Sequence, residues 1–220
     1  MSIVREPDRP GIRLLPLSET SPRSTRIPYP RAIHWQSGFS SETSPEPVVT
    51  VFVTRPAIQE FWNEANRDLD NEMGGWMLGK YRVDKITGEA FVIVDTILPV
   101  QYAIHGSSFL RFTTQSQIYL RNRMDEDYPE KDLVGWFHTH PKMSVFLSSY
   151  DTWLHQNFFP EIWQVALVIE PHSKTAGFFI RQKDSELDPR LYYGFYELAD
   201  GLEQCVVEWK NLIPHSPGSE

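Results

Sequence analysis

Leu133-Val134-Gly135-Trp136-Phe137-His138-Thr139-His140-Pro141, with Ser148-Ser149-Tyr150-Asp151 a short way on, is the stretch that decides how this 220-residue chain is read. Its apolar start reads as a buried strand. Successive strand residues alternate faces, so His138 and His140 point the same way, with imidazoles near enough to share one ion. Pro141 has no backbone N–H to give a sheet ladder, which predicts the strand's end there. Ten residues separate His140 from Asp151, enough for a loop that returns a carboxylate to the two imidazoles. Two histidines and an aspartate would give a metal ion three protein ligands and leave a fourth position to water, the open arrangement of catalytic zinc. Each piece also has an ordinary explanation. A histidine pair on a strand packs without metal, and Ser148-x-x-Asp151 is a helix-capping pattern. Cap and ligand are compatible, because a capped helix would hold Asp151 rigidly. His155, four residues further on, shares the helix face; a three-histidine site is conceivable, but a hydrogen-bonding neighbour of the site is the reading adopted.

Strands and helices interleave outward from this stretch. Val48–Val53 reads as a buried strand, with Thr54 placed to cap a helix whose stripe is Ile58, Phe61, Trp62, Ala65 and Leu69. Residues 74–83 and 89–100 read as strands, 101–112 as a connection of no clear type, and Thr114 to about Asp127 as a helix. A helix over 149–159 and a hairpin of 163–170 with 175–182 follow, then a strand at 192–198. A terminal amphipathic helix is expected from Asp200 and Glu203 as a capping box and Leu202, Cys205, Val206 and Trp209 as its stripe. The expected fold is α/β, a mixed central sheet flanked by helices in a single domain over 48–198. Residues 199–220 are expected to be that helix and a tail. Eight of the 17 prolines fall in residues 1–47, which read as an extended or disordered arm.

Composition excludes several classes. With 40% hydrophobic and 13% aromatic residues the chain can build a core. No apolar run reaches the roughly 18–20 residues of a membrane-spanning helix. One cysteine, Cys205, excludes an internal disulfide framework or a cysteine-rich zinc module. The charged, proline-containing start shows no export signal, so a cytoplasmic location is expected. A formal charge of −8 argues against nucleic-acid or anionic-membrane partners.

The segment Glu72-Met73-Gly74-Gly75-Trp76-Met77-Leu78-Gly79 resembles the E-x-G-G-x-x-x-G segment of the JAMM metalloproteases, the MPN-plus or Mov34/PAD-type family. His138-x-His140-Pro141 and Ser148-x-x-Asp151 supply the rest of that signature, and the resemblance covers roughly residues 48–182. It implies a cytidine-deaminase-like MPN fold and one Zn2+ per chain, held by His138, His140 and Asp151. Glu72 would take a proton from water and hand it to the leaving amine, and Ser148 would donate to the oxyanion. Gly74, Gly75 and Gly79 read as close-packed strand glycines. Activity is expected to fall below about pH 6 as ordinary imidazoles, with pKa ~6.5, protonate and release zinc.

Members of this family cleave peptide or isopeptide bonds at the C-terminus of ubiquitin and ubiquitin-like proteins. The resemblance therefore implies a ubiquitin-like protein or its conjugates as substrate, with cognate E1- or E2-like proteins as partners. The compact connection at 101–112 and the tight turn at 171–174 fit a bacterial or archaeal type of enzyme better than a linkage-selective deubiquitinase. Processing of a sulfur-carrier protein's C-terminus is the alternative substrate, and a non-catalytic scaffold the alternative class. Trp76, Trp136 and Phe146 are either walls of a substrate groove or core aromatics.

Overall fold

The computed structural model describes residues 23–39, 45–183, 187–199 and 204–216. In chain order the strands are β1 (Arg23–Thr25), β2 (Ala32–Ser37), β3 (Thr50–Thr54), β4 (Gly74–Asp84), β5 (Ala90–Pro99), β6 (Ile104–Gly106), β7 (Phe109–Arg111), β8 (Asp132–Thr139), β9 (Val165–Glu170), β10 (Thr175–Phe179), β11 (Phe195–Leu198) and β12 (Leu212–His215). The helices are α1 (Arg55–Ala65), α2 (Thr114–Asp127) and α3 (Ser149–Phe158). One mixed sheet runs β10-β9-β8-β4-β5-β3-β11-β2-β12, with β1 added alongside β4. β8 and β9 are parallel, as are β5, β3 and β11, whereas β4 is antiparallel to both of its neighbours on this path. No helix of the described residues is long and apolar enough to cross a membrane.

Helices cover both faces, which is why the central strands are near-continuous apolar runs. Phe137, Leu167 and Ile169 face α1, packing with its Ile58, Phe61 and Ala65. Trp136, Ala166 and Val168 face the other way, onto Leu154 of α3 and Met124 of α2. His138 shares the parity of Trp136 and so lies on the α3 side. The sheet tolerates close packing at Gly79, where a Cβ would come 1.8 Å from the Ile93 carbonyl oxygen. Thr54 precedes α1 as expected but its hydroxyl makes no cap bond. Pro56 stands second in that helix and has no N–H to offer it.

Two expectations change at the chain ends. Residues 32–37, read within the extended arm, form β2 between β11 and β12. Ile33 and Trp35 are buried there, and the Trp35 indole donates to Glu197 at 2.9 Å. Its partner strands lie some 160 to 180 residues away, so nothing local to this proline-flanked stretch announces it. Residues 1–22 and 40–44 of that arm lie outside the described residues.

The terminal amphipathic helix is replaced, over residues 204–211, by irregular backbone leading into β12. The backbone donors a helix would need are engaged elsewhere: Val206 N–H with the Glu197 carboxylate and Lys210 N–H with the Lys174 carbonyl. Trp209 is still buried, packed edge-on against Trp62 of α1. Asp200, Leu202 and Glu203 lie outside the described residues.

Candidate metal centre

The sheet delivers the two histidines and a loop delivers the aspartate. β8 ends at Thr139, and the next backbone N–H, of His140, donates to Ile169 at 2.9 Å, extending the alignment one step past the strand. Ser148 caps α3 with a complete capping box: its Oγ accepts from Asp151 N–H at 3.1 Å, and Asp151 Oδ2 accepts from Ser148 N–H at 2.7 Å. The capping pattern therefore exists, and it fixes Asp151 in the first turn, facing the strand end.

The three side chains converge. His138 Nε2 lies 2.9 Å from His140 Nε2, and Asp151 Oδ2 lies 3.5 and 3.9 Å from these two nitrogens. A point equidistant from the three atoms is about 2.0 Å from each, the Zn–N and Zn–O bond length of tetrahedral sites. All three residues are buried, and they are the one group of three or more potential ligands that comes together among the described residues. The donor chemistry also fits. His140 Nδ1 lies 3.0 Å from the Ser144 carbonyl, which can only accept, so the ring proton sits on Nδ1 and the Nε2 lone pair is free. Burial lowers the His140 pKa to about 4, with His138 adding to the effect, so the ring is neutral near pH 7. Burial alone would raise the Asp151 carboxyl; attraction to His138 and the bonds from His138 and Ser148 outweigh it and hold the group well below the usual carboxylate range.

Glu72 approaches from β4. Gly74 pairs with His138 across the β4–β8 ladder, and Thr139 brackets Met73: its N–H donates to the Met73 carbonyl and its Oγ1 accepts from the Met73 N–H, both at 2.8 Å. Glu72 is therefore carried alongside the histidine strand, and its N–H donates to the Gly106 carbonyl of the β6–β7 hairpin at 2.8 Å. The carboxyl is buried, and its pKa is pushed up to about 7. Burial is the main cause; the Asp151 charge adds and His138 opposes it. It lines a cavity of about 150 Å³ with Gly74, Tyr102, His105 and Leu110. A Cβ at residue 74 would come 2.5 Å from Leu110 Cδ2 and from the Phe137 carbonyl oxygen, so glycine is what lets the hairpin close over this strand.

Residues 54–182 match the family described as prokaryotic homologues of the JAB domain. The chain belongs to that family. It carries a JAMM-type metalloprotease domain on a mixed α/β JAB fold, and the buried His-His-Asp cluster is consistent with the JAMM motif. An AMSH-like protease of Homo sapiens is 32% identical over 98 residues, 43% of this chain and 21% of its own length. The AMSH-like protease sst2 of Schizosaccharomyces pombe is 27% identical over 142 residues, 61% of this chain and 29% of its own length. A STAM-binding protein-like A of Danio rerio is 30% identical over 98 residues, 43% of this chain and 22% of its own length. The JAB domain here thus spans less than a third of each of these curated relatives. A solution structure of protein DSY2949 from Desulfitobacterium hafniense covers 63% of this chain and 88% of its own at 22% identity, with a TM-score of 0.47.

Other sequence expectations resolve individually. Trp76 and Trp136 are almost fully buried and belong to the core, Trp136 lying against His138 as well; Phe146, half-buried and 4.8 Å from the His140 ring, borders the site. The 101–112 connection contains a two-stranded hairpin, β6–β7, that projects Tyr102, Ile104 and Phe109 into solvent. Arg111 at its end reaches over the Tyr150 ring of α3. Sequence reading missed both the hairpin and the stacking of Trp136 on His138. The alternation that joined the two histidines would have placed Trp136 on their face as well.

Proposed function

We propose that this JAB domain is a zinc-dependent peptidase that cleaves after the C-terminus of a ubiquitin-like protein, either from its conjugates or from a precursor. The observation that carries the reading is the convergence of His138, His140 and Asp151 on one point beside the buried Glu72. His138 and His140 would each supply a ring nitrogen, and Asp151 one carboxylate oxygen, to zinc. When bound, zinc supplies Lewis acidity, lowering the pKa of water and polarising a carbonyl.

The protein's own groups do the rest. Glu72 accepts a proton from the attacking water, whose oxygen adds to the scissile carbonyl carbon. It then returns that proton to the amine nitrogen as the C–N bond breaks. A carboxyl with a pKa near 7 suits both halves of this exchange. Ser148 Oγ already accepts from Asp151 N–H, which leaves its own proton to donate to the carbonyl oxygen as charge develops there. The capping box aims the serine and the aspartate together. The names of the relatives, AMSH-like proteases, support the hydrolytic reading; the ubiquitin-like substrate follows from the motif resemblance.

The test is to replace Glu72 by glutamine in the organism that makes the protein and identify what accumulates. Ubiquitin-like protein joined to lysines of other proteins supports deconjugation, and a C-terminally extended precursor supports processing. An unchanged population of both would refute the proposed substrate class.

A further inference from the structure

The two histidines of the metal centre are not held in the same way. His140 has its Nδ1 against the Ser144 carbonyl, the usual arrangement that fixes a ligating imidazole. His138 Nδ1 is buried and has no hydrogen-bond partner among the described residues. What lies against the His138 ring instead is the Trp136 indole, with centroids 4.6 Å apart and planes within 8° of parallel. The Trp136 Nε1–H in turn donates to His155 Nδ1 at 3.2 Å, on the neighbouring helix α3.

Resting on the zinc reading above, we propose that His155 is a positioning residue for the metal centre. By accepting the indole N–H it locks Trp136, and the locked indole, in place of a hydrogen bond, holds His138 in its ligating orientation. The geometry is specific to that role. His155 is fully buried, and burial, with the nearby Arg181 charge, takes its pKa down to about 3, so the ring is neutral; the indole N–H can only donate, which makes Nδ1 the acceptor. Phe159 stacks on His155 at 5.8 Å and on Trp136 at 6.1 Å, and Phe112 meets Trp136 edge-on at 5.9 Å. The indole is therefore confined in position by apolar rings, while its rotation is set by the single polar contact to His155. An indole face also favours an imidazole that gains positive character when it binds a cation. Without the acceptor a buried N–H would be left unpaired, and the indole would turn to satisfy it at the expense of the stack on His138. His155 thus acts on zinc through two aromatic contacts without ligating it.

Full-length protein is compared as wild type, His155→Leu, His155→Gln, Trp136→Phe and the Trp136→Phe/His155→Leu double variant. Zinc affinity is measured by competition with a chelating dye, the ligand field by the visible spectrum of the Co2+ form, and metal-free stability by Tm. Wild type is expected to bind one zinc. His155→Leu should bind it about 10–100-fold more weakly, with a shifted Co2+ spectrum, and His155→Gln, whose amide oxygen can accept the indole N–H, should recover most of the loss. Trp136→Phe should weaken binding about tenfold or more, and the double variant no further, because His155 has nothing left to act through. Should His155→Leu not fold, Trp136→Phe and His155→Gln carry the comparison. A lower Tm with unchanged zinc affinity and Co2+ spectrum in His155→Leu would overturn the proposal, as would additive losses in the double variant. Complete loss of zinc in His155→Gln would make His155 a ligand instead. Wild-type protein unable to bind zinc would bring down the metal-site reading itself, a different failure.

Discussion

Asp151 joins two functions that substitution can separate. One oxygen, Oδ2, accepts the Ser148 N–H at 2.7 Å and faces the two histidine nitrogens at 3.5 and 3.9 Å. Asp151→Ala removes the proposed ligand and the reciprocal half of the capping box, while the residue 151 N–H can still donate to Ser148 Oγ. The lost Ser148 N–H bond is worth about 1 kcal/mol, which in a chain of this size lowers the metal-free Tm by about 2–4 °C. Zinc at a hundred times its Kd should stabilise the wild type by about 2.7 kcal/mol, or about 5–11 °C. Asp151→Ala should lose that entire increment. Asp151→Asn keeps an oxygen for the Ser148 N–H and should retain the metal-free Tm within about 2 °C, while its zinc increment shrinks because the ligand is no longer charged. The assay is differential scanning calorimetry of each protein with chelator and with zinc, checked by metal analysis. A full-sized zinc increment in Asp151→Ala would refute the assignment of Asp151 to the ion. A metal-free Tm as low in Asp151→Asn as in Asp151→Ala would refute the capping argument.

Glu72→Gln should reduce turnover by about 10²–10⁴-fold with zinc retained, read by single-turnover hydrolysis and metal content. The same change should stabilise the metal-free protein at pH 8. The native Glu72 pKa lies above its unfolded value, so the folded state loses stability as pH rises from about 4.5 to 7. The shift corresponds to at most about 3 kcal/mol, and solvent screening leaves a gain on the order of 1 kcal/mol, which should vanish at pH 4. Ser148→Ala should keep zinc, lose about 10²–10³ in kcat, and lower Tm by about 2–4 °C through the lost acceptor for Asp151 N–H. With acid, hydrolysis should decline first as Glu72 protonates below about pH 7, and zinc should leave at lower pH, because burial holds His140 neutral down to about 4. Zinc content and rate measured along one pH series check this order. Simultaneous loss near pH 6, as ordinary imidazoles would give, would contradict it.

The central strands, the three helices and the residues that meet at the strand end are legible in the linear chain. Apolar runs bounded by turn residues, the i, i+2 relation of His138 and His140, Pro141 as a stop and the Ser148–Asp151 cap are all local, so short windows carry them. Tertiary structure alone decided what depends on distant partners. Ala32–Ser37 becomes a strand because β11 and β12 are there to pair with it, and Cys205–Lys210 forgoes a helix because Glu197 and Lys174 engage its backbone. The chemistry of Glu72 belongs to the same class. A carboxylate's pKa depends on the water removed from it and the charges placed near it, and only the folded chain buries residue 72 within reach of the Asp151 charge. So does the support of His138, since a stack between Trp136 and a strand histidine, steadied from a helix 19 residues away, exists only once both elements are packed.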